Sequence, residues 1–471
     1  MPKQQIYSTW EIFGETFFFF AENRLFCRIK FSVWTSSNIF LMVKINKYPP
    51  REDWANIIAR PQIDDSQLFD TVKKIMEDVR QNGNRAVAAY SEQFDKAVLN
   101  HFTVTTDEMN ETERLVPEEL KAAIRLAAGN IETFHRSQRL VAQKVETMPG
   151  VICWQKSVGI EKVGLYIPGG TAPLFSTVLM LAIPARIAGC REIILCTPPA
   201  KDGKIHPAIL FAAAEAGVNQ IFKIGGVQAI AAMTYGTETV PNVYKIFGPG
   251  NQYVTAAKQL VALRDVAIDM PAGPSEVEVI ADESANPAFV AADMLSQAEH
   301  GADSQAILVT ACEEIVEQVI AEIEHQLNEL PRKELAERSL EHSHIVVLKD
   351  RSDVIDFTNA YAPEHLIIQT RDYAELAEQV TNAGSVFLGH FTPESAGDYA
   401  SGTNHTLPTN GYARMYSGVN LDSFVKKITF QEITSQGICN IGQAIETMAQ
   451  AESLYGHSNA VSLRMKFNNL T

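Results

Sequence analysis

The chain has 471 residues, long enough for two or three domains of ordinary size. Its hydrophobic fraction of 46% and charged fraction of 20% are typical of a protein that buries a sizeable core. The net charge of −16 at pH 7 argues against nucleic acid or an anionic membrane as a partner, because both select basic surfaces. Six scattered cysteines, none in a CxxC spacing, indicate free thiols in a reducing cytoplasm.

The first 41 residues differ sharply in composition from the rest of the chain. They hold 11 of the 40 aromatic residues, including four consecutive phenylalanines at 17–20. Three glutamates interrupt any signal-peptide pattern, and the longest uncharged stretch, 31–43, is too short to span a bilayer. We therefore interpret 1–41 as a non-native or disordered extension without function, followed by an N-terminal arm at 42–65.

Helical spacing predicts helices over 66–140, and from about residue 160 short apolar runs alternate with helical stretches. Nine runs of about five residues, rich in Val and Ile, are predicted strands: 162–167, 192–196, 220–224, 243–247, 277–281, 306–310, 344–348, 366–370 and 385–389. Such runs between crossover helices are typical of parallel strands buried on both faces, which predicts an α/β fold. The last 50 residues lose the strand pattern and predict a helix at about 441–455.

Glycine-rich turns follow three of the predicted strands. They read Pro168-Gly169-Gly170, Gly225-Gly226 and, at 248–251, GPGN. A glycine turn that enters a helix lets backbone N–H groups approach a phosphate. A tight turn needs glycine in any case, so one such turn is weak evidence, whereas three favour a nucleotide site about as much as a structural role. The usual GxGxxG fingerprint is absent.

A second set of residues has the chemistry of metal ligands. Gln297 and His300 are three apart at the end of a predicted helix, and Asp398 lies in a predicted loop between glycines. His457 follows a predicted helix end, with Glu452 one turn back. Two imidazoles, a carboxylate and an amide oxygen suit zinc. The helix dipole alone would also favour a histidine at a helix end, and sequence spacing does not show that these residues meet.

Glu364 and His365 stand side by side immediately before a predicted strand, in the sequence APEHL. Histidine has the solution pKa best suited to taking and returning a proton near neutral pH, and a partly desolvated glutamate could activate water. A solvated surface pair explains the two residues equally well.

Seven segments, in one order, resemble the histidinol dehydrogenase family: VGLYIPGGTAPLFSTVLMLAIPARIAGC, GGVQAIAAMTYGTE, KIFGPGNQYVTAAK, DMPAGPSEVEVIAD, LSQAEHGADSQAIL, APEHL and ESAGDYASGTNHTLPT. The resemblance covers 42–471. It implies two sequential NAD-dependent oxidations of L-histidinol, through L-histidinaldehyde, to L-histidine. It also implies one zinc ion (Zn2+) per subunit, a homodimer, no nucleic-acid or membrane partner, and a cytoplasmic enzyme.

The resemblance also implies roles for individual residues. Zinc would be bound by Gln297, His300, Asp398 and, from the other subunit, His457. The substrate would contact these four and His365, together with Ser275, His405 and Glu452, the last also crossing from the partner. NAD would be held by Tyr166, Gln228 and Asn251. His365 would be the base for alcohol oxidation, and Glu364 would activate the water that adds to the aldehyde.

The fold implied by the resemblance is a pair of incomplete Rossmann-like domains with parallel sheets, one inserted in the other. Residues 66–165 and 277–418 would form the first domain, with the zinc and catalytic residues. Residues 166–276 would form the inserted NAD domain. Residues 419–471 would form a C-terminal segment that crosses to the partner, so that small N- and C-terminal helical pieces are exchanged in the dimer.

Three other functions remain open at this point. A zinc hydrolase would use Glu364 as the base on a metal-bound water, and would not need NAD. An aldehyde dehydrogenase with a cysteine nucleophile would use Cys153, Cys190 or Cys196, although Cys190 and Cys196 lie where buried thiols are ordinary. A metabolite-binding or regulatory protein could retain the fold without activity, because a fold does not settle a function.

Overall fold

The computed structural model describes residues 9–12, 15–18, 43–60, 66–169, 172–271 and 273–468. The chain divides into two compact units. The first unit comprises Met1–Gln62 and Pro274–Glu394, and the second comprises Ile63–Gly273 and Ser395–Thr471. In the predicted extension two short strands pair antiparallel with each other, and the rest of 1–41 lies outside the described residues.

The strands, in chain order, are β1 (Thr9–Ile12), β2 (Glu15–Phe18), β3 (Lys44–Lys47), β4 (Val145–Met148), β5 (Val151–Gly159), β6 (Lys162–Tyr166), β7 (Glu192–Thr197), β8 (Gln220–Lys223), β9 (Lys245–Phe247), β10 (Ala267–Ile268), β11 (Glu276–Ala281), β12 (Gln305–Thr310), β13 (His344–Val347), β14 (His365–Gln369), β15 (Ser385–Leu388) and β16 (Val425–Ile433). The α-helices are α1 (Trp54–Ile57), α2 (Ser66–Tyr90, kinked at Gly83), α3 (Thr106–Leu115), α4 (Glu118–Ser137), α5 (Phe175–Ala188), α6 (Pro207–Ala216), α7 (Gly226–Tyr235), α8 (Gln252–Ala262), α9 (Pro287–Ala298), α10 (Glu314–Leu327), α11 (Lys333–Leu340), α12 (Arg351–Tyr361), α13 (Tyr373–Ala377), α14 (Glu394–Tyr399), α15 (Ser435–Ala451) and α16 (Tyr455–Asn468).

The first unit is built on a six-stranded parallel sheet in the order β15-β14-β11-β12-β13-β3. One face packs against the buried sides of α9, α10 and α11. The other packs against α1 and α12. Both faces of the central strands are therefore dry, which is why they read as continuous apolar runs. The predicted N-terminal arm contributes β3 to the sheet edge, where the polar sequence KINK gives no strand signal.

The second unit contains a five-stranded parallel sheet in the order β10-β9-β6-β7-β8. All nine predicted strands are confirmed, four in this sheet and five in the first, and the α/β class is confirmed with them. The helices predicted over 66–140 are present as α2, α3 and α4. No helix among the described residues is both long and apolar enough to cross a membrane.

The boundary between the units differs from the predicted one. Residues 66–165 group with the inserted sheet, and so do 395–418, whereas 277–394 form the first unit with the N-terminal residues. The reason lies in the apolar stripes of the early helices: Val72 and Val79 of α2 pack with Ile230 of α7, while Ile124 and Ile131 of α4 join the core around α5. These helices cover the second sheet, so they belong to its core.

The prediction for the C-terminal segment is wrong in two respects. β16 pairs antiparallel with all nine residues of β5, and β4 completes a small three-stranded sheet. Most of β16 is exposed, so it lacks the buried apolar run by which the other strands are visible. The single helix predicted at 441–455 is instead two, because α15 ends at Ala451 and Ser453 takes a left-handed φ of 61° before α16 begins.

Glu278 in β11 is a completely buried carboxyl. The Thr358 hydroxyl donates to its Oε1, and its Oε2 has no hydrogen-bond partner within the described part of the chain. Burial raises the pKa of Glu278 from 4.5 to about 8. The folded chain therefore keeps a proton that the unfolded chain releases above about pH 5.

Glu278→Gln should flatten the pH dependence of stability. As pH rises from about 5 to 8, the wild type should lose up to about 1.4 kcal/mol of unfolding free energy per pH unit through this one proton, and the neutral glutamine should not. Thermal unfolding at pH 5, 6.5 and 8 measures the difference, with exposed Glu329→Gln as the control. Parallel pH slopes for the wild type and Glu278→Gln would contradict the assignment.

Candidate functional site

Glu364 and His365 lie at the amino end of the first sheet. α12 ends at Tyr361, Ala362 takes a left-handed φ of 55°, and β14 begins at His365. The two side chains are only 5% and 4% exposed, which excludes the solvated surface pair. They are an acid–base pair in a site of low dielectric.

The first residue of β11, Glu276, contacts both members of this pair through its main chain. Its N–H donates to Glu364 Oε2 at 2.9 Å, and its carbonyl oxygen is 3.4 Å from His365 Nδ1. Glu364 Oε2 and Glu394 Oε1 lie 3.6 and 3.7 Å from the same nitrogen. Three oxygens facing Nδ1 favour the tautomer with the ring proton on that nitrogen, which makes Nε2 the basic atom.

Gln297 and His300 also lie at this edge of the first sheet. In a parallel sheet the crossover helices run back against the strands, so the carboxyl end of α9 returns to the amino end of β11. Gln297 is fully buried in α9, yet neither its amide oxygen nor its amide nitrogen has a hydrogen-bond partner among the described residues. His300 is exposed, and it offers a ring nitrogen within 4.8 Å of a carboxylate oxygen of Glu394.

Glu394 is a site residue that the sequence did not predict. It is 1% exposed, and it begins α14, one turn before Asp398. The predicted loop around Asp398 is therefore wrong, because this segment is a short helix. The spacing of four in ESAGD was a usable signal, since it places both carboxylates on one helix face.

Asp293 ties together the elements that carry these groups. Its Oδ2 accepts a hydrogen bond of 2.7 Å from Gln369 Nε2 at the end of β14. The backbone N–H of Glu394 also bonds to the Asp293 carboxyl. Burial raises the pKa of Asp293 to about 7 against these two hydrogen bonds, which lower it. α9, β14 and the start of α14 are thus held to one another.

The amide oxygen of Gln297, the imidazole of His300 and the nearby carboxylates form a donor set that fits a metal ion. An amide oxygen, an imidazole and carboxylates are ligands that zinc accepts, and a bound ion would satisfy the unpartnered amide oxygen of Gln297.

The three predicted nucleotide residues lie at the carboxyl ends of strands in the second sheet. The Tyr166 hydroxyl at the end of β6 accepts a hydrogen bond of 3.1 Å from Gly226 N. Gln228 is fully buried in α7, and its amide oxygen has no partner in the described chain. Asn251 caps α8, accepting from the N–H groups of the second and third residues beyond it at 3.1 and 3.2 Å.

The loop after β9 is held in an unusual conformation. Gly248 has a φ of 121°, and a Cβ there would stand 2.0 Å from the carbonyl oxygen of Tyr166. Buried Lys258 donates to the Gly248 carbonyl at 2.7 Å and pairs with Asp269 at 2.5 Å, while Asp269 accepts from Gly248 N at 2.8 Å. These contacts fix the backbone of the loop against the end of β6. Gly170, in the first predicted loop, lies outside the described residues.

The remaining predicted residues are placed as follows. Ser275 directly precedes β11. His405 Nε2 is 3.1 Å from Thr177 Oγ1, and its Nδ1 is 2.9 Å from the Asp398 carbonyl oxygen. Glu452 follows α15, and His457 lies inside α16 and not after the last helix as predicted. Both are exposed in the single chain.

The cysteine-nucleophile alternative does not fit the structure. Burial raises the pKa of Cys190 to about 12, and it raises the pKa of fully buried Cys196 further. A nucleophilic cysteine needs the opposite shift, because the thiolate is the reactive form. Cys153 lies within β5 in the small antiparallel sheet.

Two parallel sheets, a buried Glu–His pair at one and glycine-rich loops at the carboxyl ends of the other are features found in α/β oxidoreductases. The family model described as Histidinol dehydrogenase matches residues 58–465. The chain therefore belongs to the histidinol dehydrogenase family.

Individual relatives agree with this assignment. Histidinol dehydrogenase of Bacteroides thetaiotaomicron is 67% identical over 424 residues, covering 90% of this chain and 99% of the relative. The chloroplastic histidinol dehydrogenase of Arabidopsis thaliana is 53% identical over 411 residues, covering 87% of this chain and 88% of the relative. The crystal structure of histidinol dehydrogenase from Elizabethkingia anophelis superposes with a TM-score of 0.90 at 55% identity, covering 91% and 99% of the two chains.

Gly248→Ala should abolish nucleotide binding, because the added methyl cannot fit beside the Tyr166 carbonyl. Gly189→Ala is a matched control, since its φ is also left-handed, at 82°, but its Cβ would meet nothing within 4 Å. The control should cost only about 1 kcal/mol of stability from backbone strain. Titration calorimetry with NAD compares the two, and equal affinities would contradict the role given to this loop.

Proposed function

We propose that this chain oxidises L-histidinol to L-histidine, the final step of histidine biosynthesis, in two NAD-dependent steps through L-histidinaldehyde at one site. The observation that carries the proposal is the buried Glu364–His365 pair held by the main chain of Glu276. It supplies two distinct bases, and the reaction needs two: one for the alcohol and one for the water. Membership of the family supports the substrate.

Gln297, His300 and Asp398 would hold one zinc ion per subunit, with His457 supplied by a second copy of the chain. The buried amide of Gln297 and the nearby imidazole of His300 support this ligand set. Zinc bound there would orient the imidazole and amino nitrogens of the substrate. Ser275, His405 and Glu452 would line the pocket around it, and Glu394 would stand behind His300 as an outer carboxylate.

Tyr166, Gln228 and Asn251 would hold NAD at the carboxyl ends of the second sheet, where such sheets bind nucleotides. Two NAD molecules bound there in turn would each accept one hydride of the reaction. The unpartnered amide oxygen of Gln228 and the fixed backbone at Gly248 support this placement.

His365 would act in the alcohol step. Its Nε2 takes the proton of the substrate hydroxyl as hydride leaves the same carbon, and the carbonyl of the aldehyde forms. The proton on Nδ1 stays with the oxygens that surround it, so the ring does not change tautomer before it reacts. The positive charge that develops on the ring is stabilised by Glu364 and Glu394.

Glu364 would act in the second step. Its Oε2 accepts a hydrogen bond from the Glu276 N–H, which orients the carboxylate, and the carboxylate takes a proton from water as the water oxygen bonds to the aldehyde carbon. The product of this addition is the anion of the aldehyde hydrate, and loss of the second hydride from that anion gives the carboxylic acid. The two residues therefore divide the two oxidations between them.

We also propose a homodimer in which the C-terminal segment crosses to a second copy. Within the described chain, residues 425–468 contribute no side chain to the four hydrophobic clusters. Several large apolar side chains of this segment are exposed: Ile428, Phe430, Ile433, Met448, Leu454, Tyr455, Leu463 and Phe467. An apolar segment outside its own core is typical of an obligate interface. The enzyme would work in the cytoplasm, without nucleic-acid or membrane partners.

The direct test is NADH formation from histidinol, followed by absorbance, with and without a chelator. We expect two NADH per histidinol, loss of activity on removing metal, and recovery with zinc. Product formation without NAD would favour the zinc hydrolase. Histidinol binding without turnover would favour the regulatory alternative.

His365→Ala should cripple the alcohol step by about 10²- to 10⁴-fold, the usual contribution of a general base. Glu364→Gln keeps the size of the side chain and should slow the aldehyde step more than the alcohol step. Single-turnover assays started from histidinol and from histidinaldehyde separate the two. Equal losses in both half-reactions for Glu364→Gln would contradict its role.

Mixed dimers test the crossing of His457. His365→Ala and His457→Ala are each expected to be inactive, and the two are unfolded and refolded together. Random pairing makes about half the dimers mixed, and each mixed dimer has one intact site, so about a quarter of wild-type activity should return. If each site were built from one chain, every site would keep a defect and mixing would restore nothing.

A further inference from the structure

Arg60 forms a buried clamp on Glu276. Its Nε and Nη2 donate to the two carboxylate oxygens at 2.7 and 3.0 Å, and the two side chains are 13% and 1% exposed. Nη2 also donates to the Tyr361 carbonyl at 2.7 Å, and the guanidinium lies 4.0 Å from the centre of the Tyr361 ring. The Tyr361 hydroxyl donates to Gln305 Oε1 at 2.8 Å, which fixes the ring under the clamp.

This clamp lies on the opposite face of the sheet from the histidine. Side chains alternate along a strand, so Glu276 and Glu278 point to the face of α1 and α12, where Tyr361 packs. His365 pairs in register with Val277, whose side chain points to the face of α9. Arg60 makes no side-chain contact with Glu364 or His365, and it can act on them through the main chain of Glu276 and through the Tyr361 carbonyl, which stands three residues before Glu364.

The main chain of Glu276 is the point at which the two acid–base groups are held. Its N–H and carbonyl both point along the sheet toward β14, one to Glu364 and one to His365. Glu276 is the first residue of β11, and only strand residues after it are held by the ladder on both sides. Its ladder partner is Gln305 of β12, and its pairing with β14 is not part of the register, so the Arg60 fork adds a hold on its side chain that the ladder does not supply.

We propose that Arg60 is a positioning residue for the reaction: through Glu276 it sets where Glu364 and His365 stand, and this role rests on the proposed function. A bidentate arginine–carboxylate pair suits the task, because it fixes direction as well as distance. Because a buried ion pair adds little net stability, we assign the Arg60–Glu276 pair a role in fixing geometry. Arg60→Lys keeps the charge and loses the fork, and so should recover only part of the activity.

The experiment is a double-mutant cycle read by single-turnover oxidation of histidinol, with zinc-loaded full-length protein. Arg60→Met should lower the rate about 10²-fold, the cost of a misplaced acid–base group, and leave the KM for histidinol within about twofold. In a His365→Ala background the same change should cost less than about threefold, because the group that it positions is gone. An equal factor in both backgrounds would overturn the proposal, since a general loss of structure acts on both alike.

Arg51→Gln is the matched control. Arg51 also pairs with two carboxylates, Asp353 and Asp356, and its guanidinium lies 5.0 Å from the centre of the Trp54 ring, yet it is exposed and touches neither Glu276 nor the pair. The activity of Arg51→Gln should equal that of the wild type. If neither the wild type nor Arg51→Gln forms NADH, the proposed function is contradicted. If both form NADH but the effects of Arg60→Met and His365→Ala are additive, only the positioning role of Arg60 is contradicted.

Glu276→Gln is the second variant, because it keeps the side-chain shape should Arg60→Met fail to fold. Glu276→Gln should lower the single-turnover rate in the wild-type background and change it little in the His365→Ala background, as expected for Arg60→Met. If both variants unfold at the assay temperature by circular dichroism, the pair holds the whole unit together, and the positioning role is overturned.

Discussion

The arrangement of Glu364 and His365 depends on the main chain of one residue, Glu276. The N–H and the carbonyl of Glu276 hold a carboxylate and an imidazole side by side at the start of β14. A carboxylate that accepts a backbone N–H stays ready to take a proton from water. A ring whose Nδ1 faces a carbonyl presents Nε2 as the base. The two bases that we propose are thus both held by the main chain of one residue.

In the two units the predicted site residues lie at opposite ends of the strands. In the second, the predicted nucleotide residues stand at the carboxyl ends of the strands, as expected for open parallel sheets. In the first, the acid–base pair stands at the amino ends, where the carboxyl end of α9 also returns. A search limited to the carboxyl ends of strands would therefore find the predicted nucleotide loops but not Glu364 and His365.

Much of this could be predicted from the sequence, and the reasons are physical. Strands buried on both faces are mostly apolar, which made the central strands visible, and the edge strand β15 was visible because it is apolar although Val386 and Leu388 are exposed. β3 and β16 were not, because an edge strand and an exposed strand need no apolar run. Glu394 was missed because its importance comes from burial beside His365, which joins residues far apart in the chain. The orphaned amide of Gln297 likewise exists only in three dimensions.

The central claim is that the main chain around β11 fixes His365 as the Nδ1-protonated tautomer. A neutron diffraction structure of the deuterated protein at neutral pH shows ring deuterons directly. The account predicts a deuteron on Nδ1 of His365, directed at the Glu276 carbonyl, and none on Nε2. A deuteron on Nε2 with a bare Nδ1 would contradict it, because the base would then be turned away from the substrate.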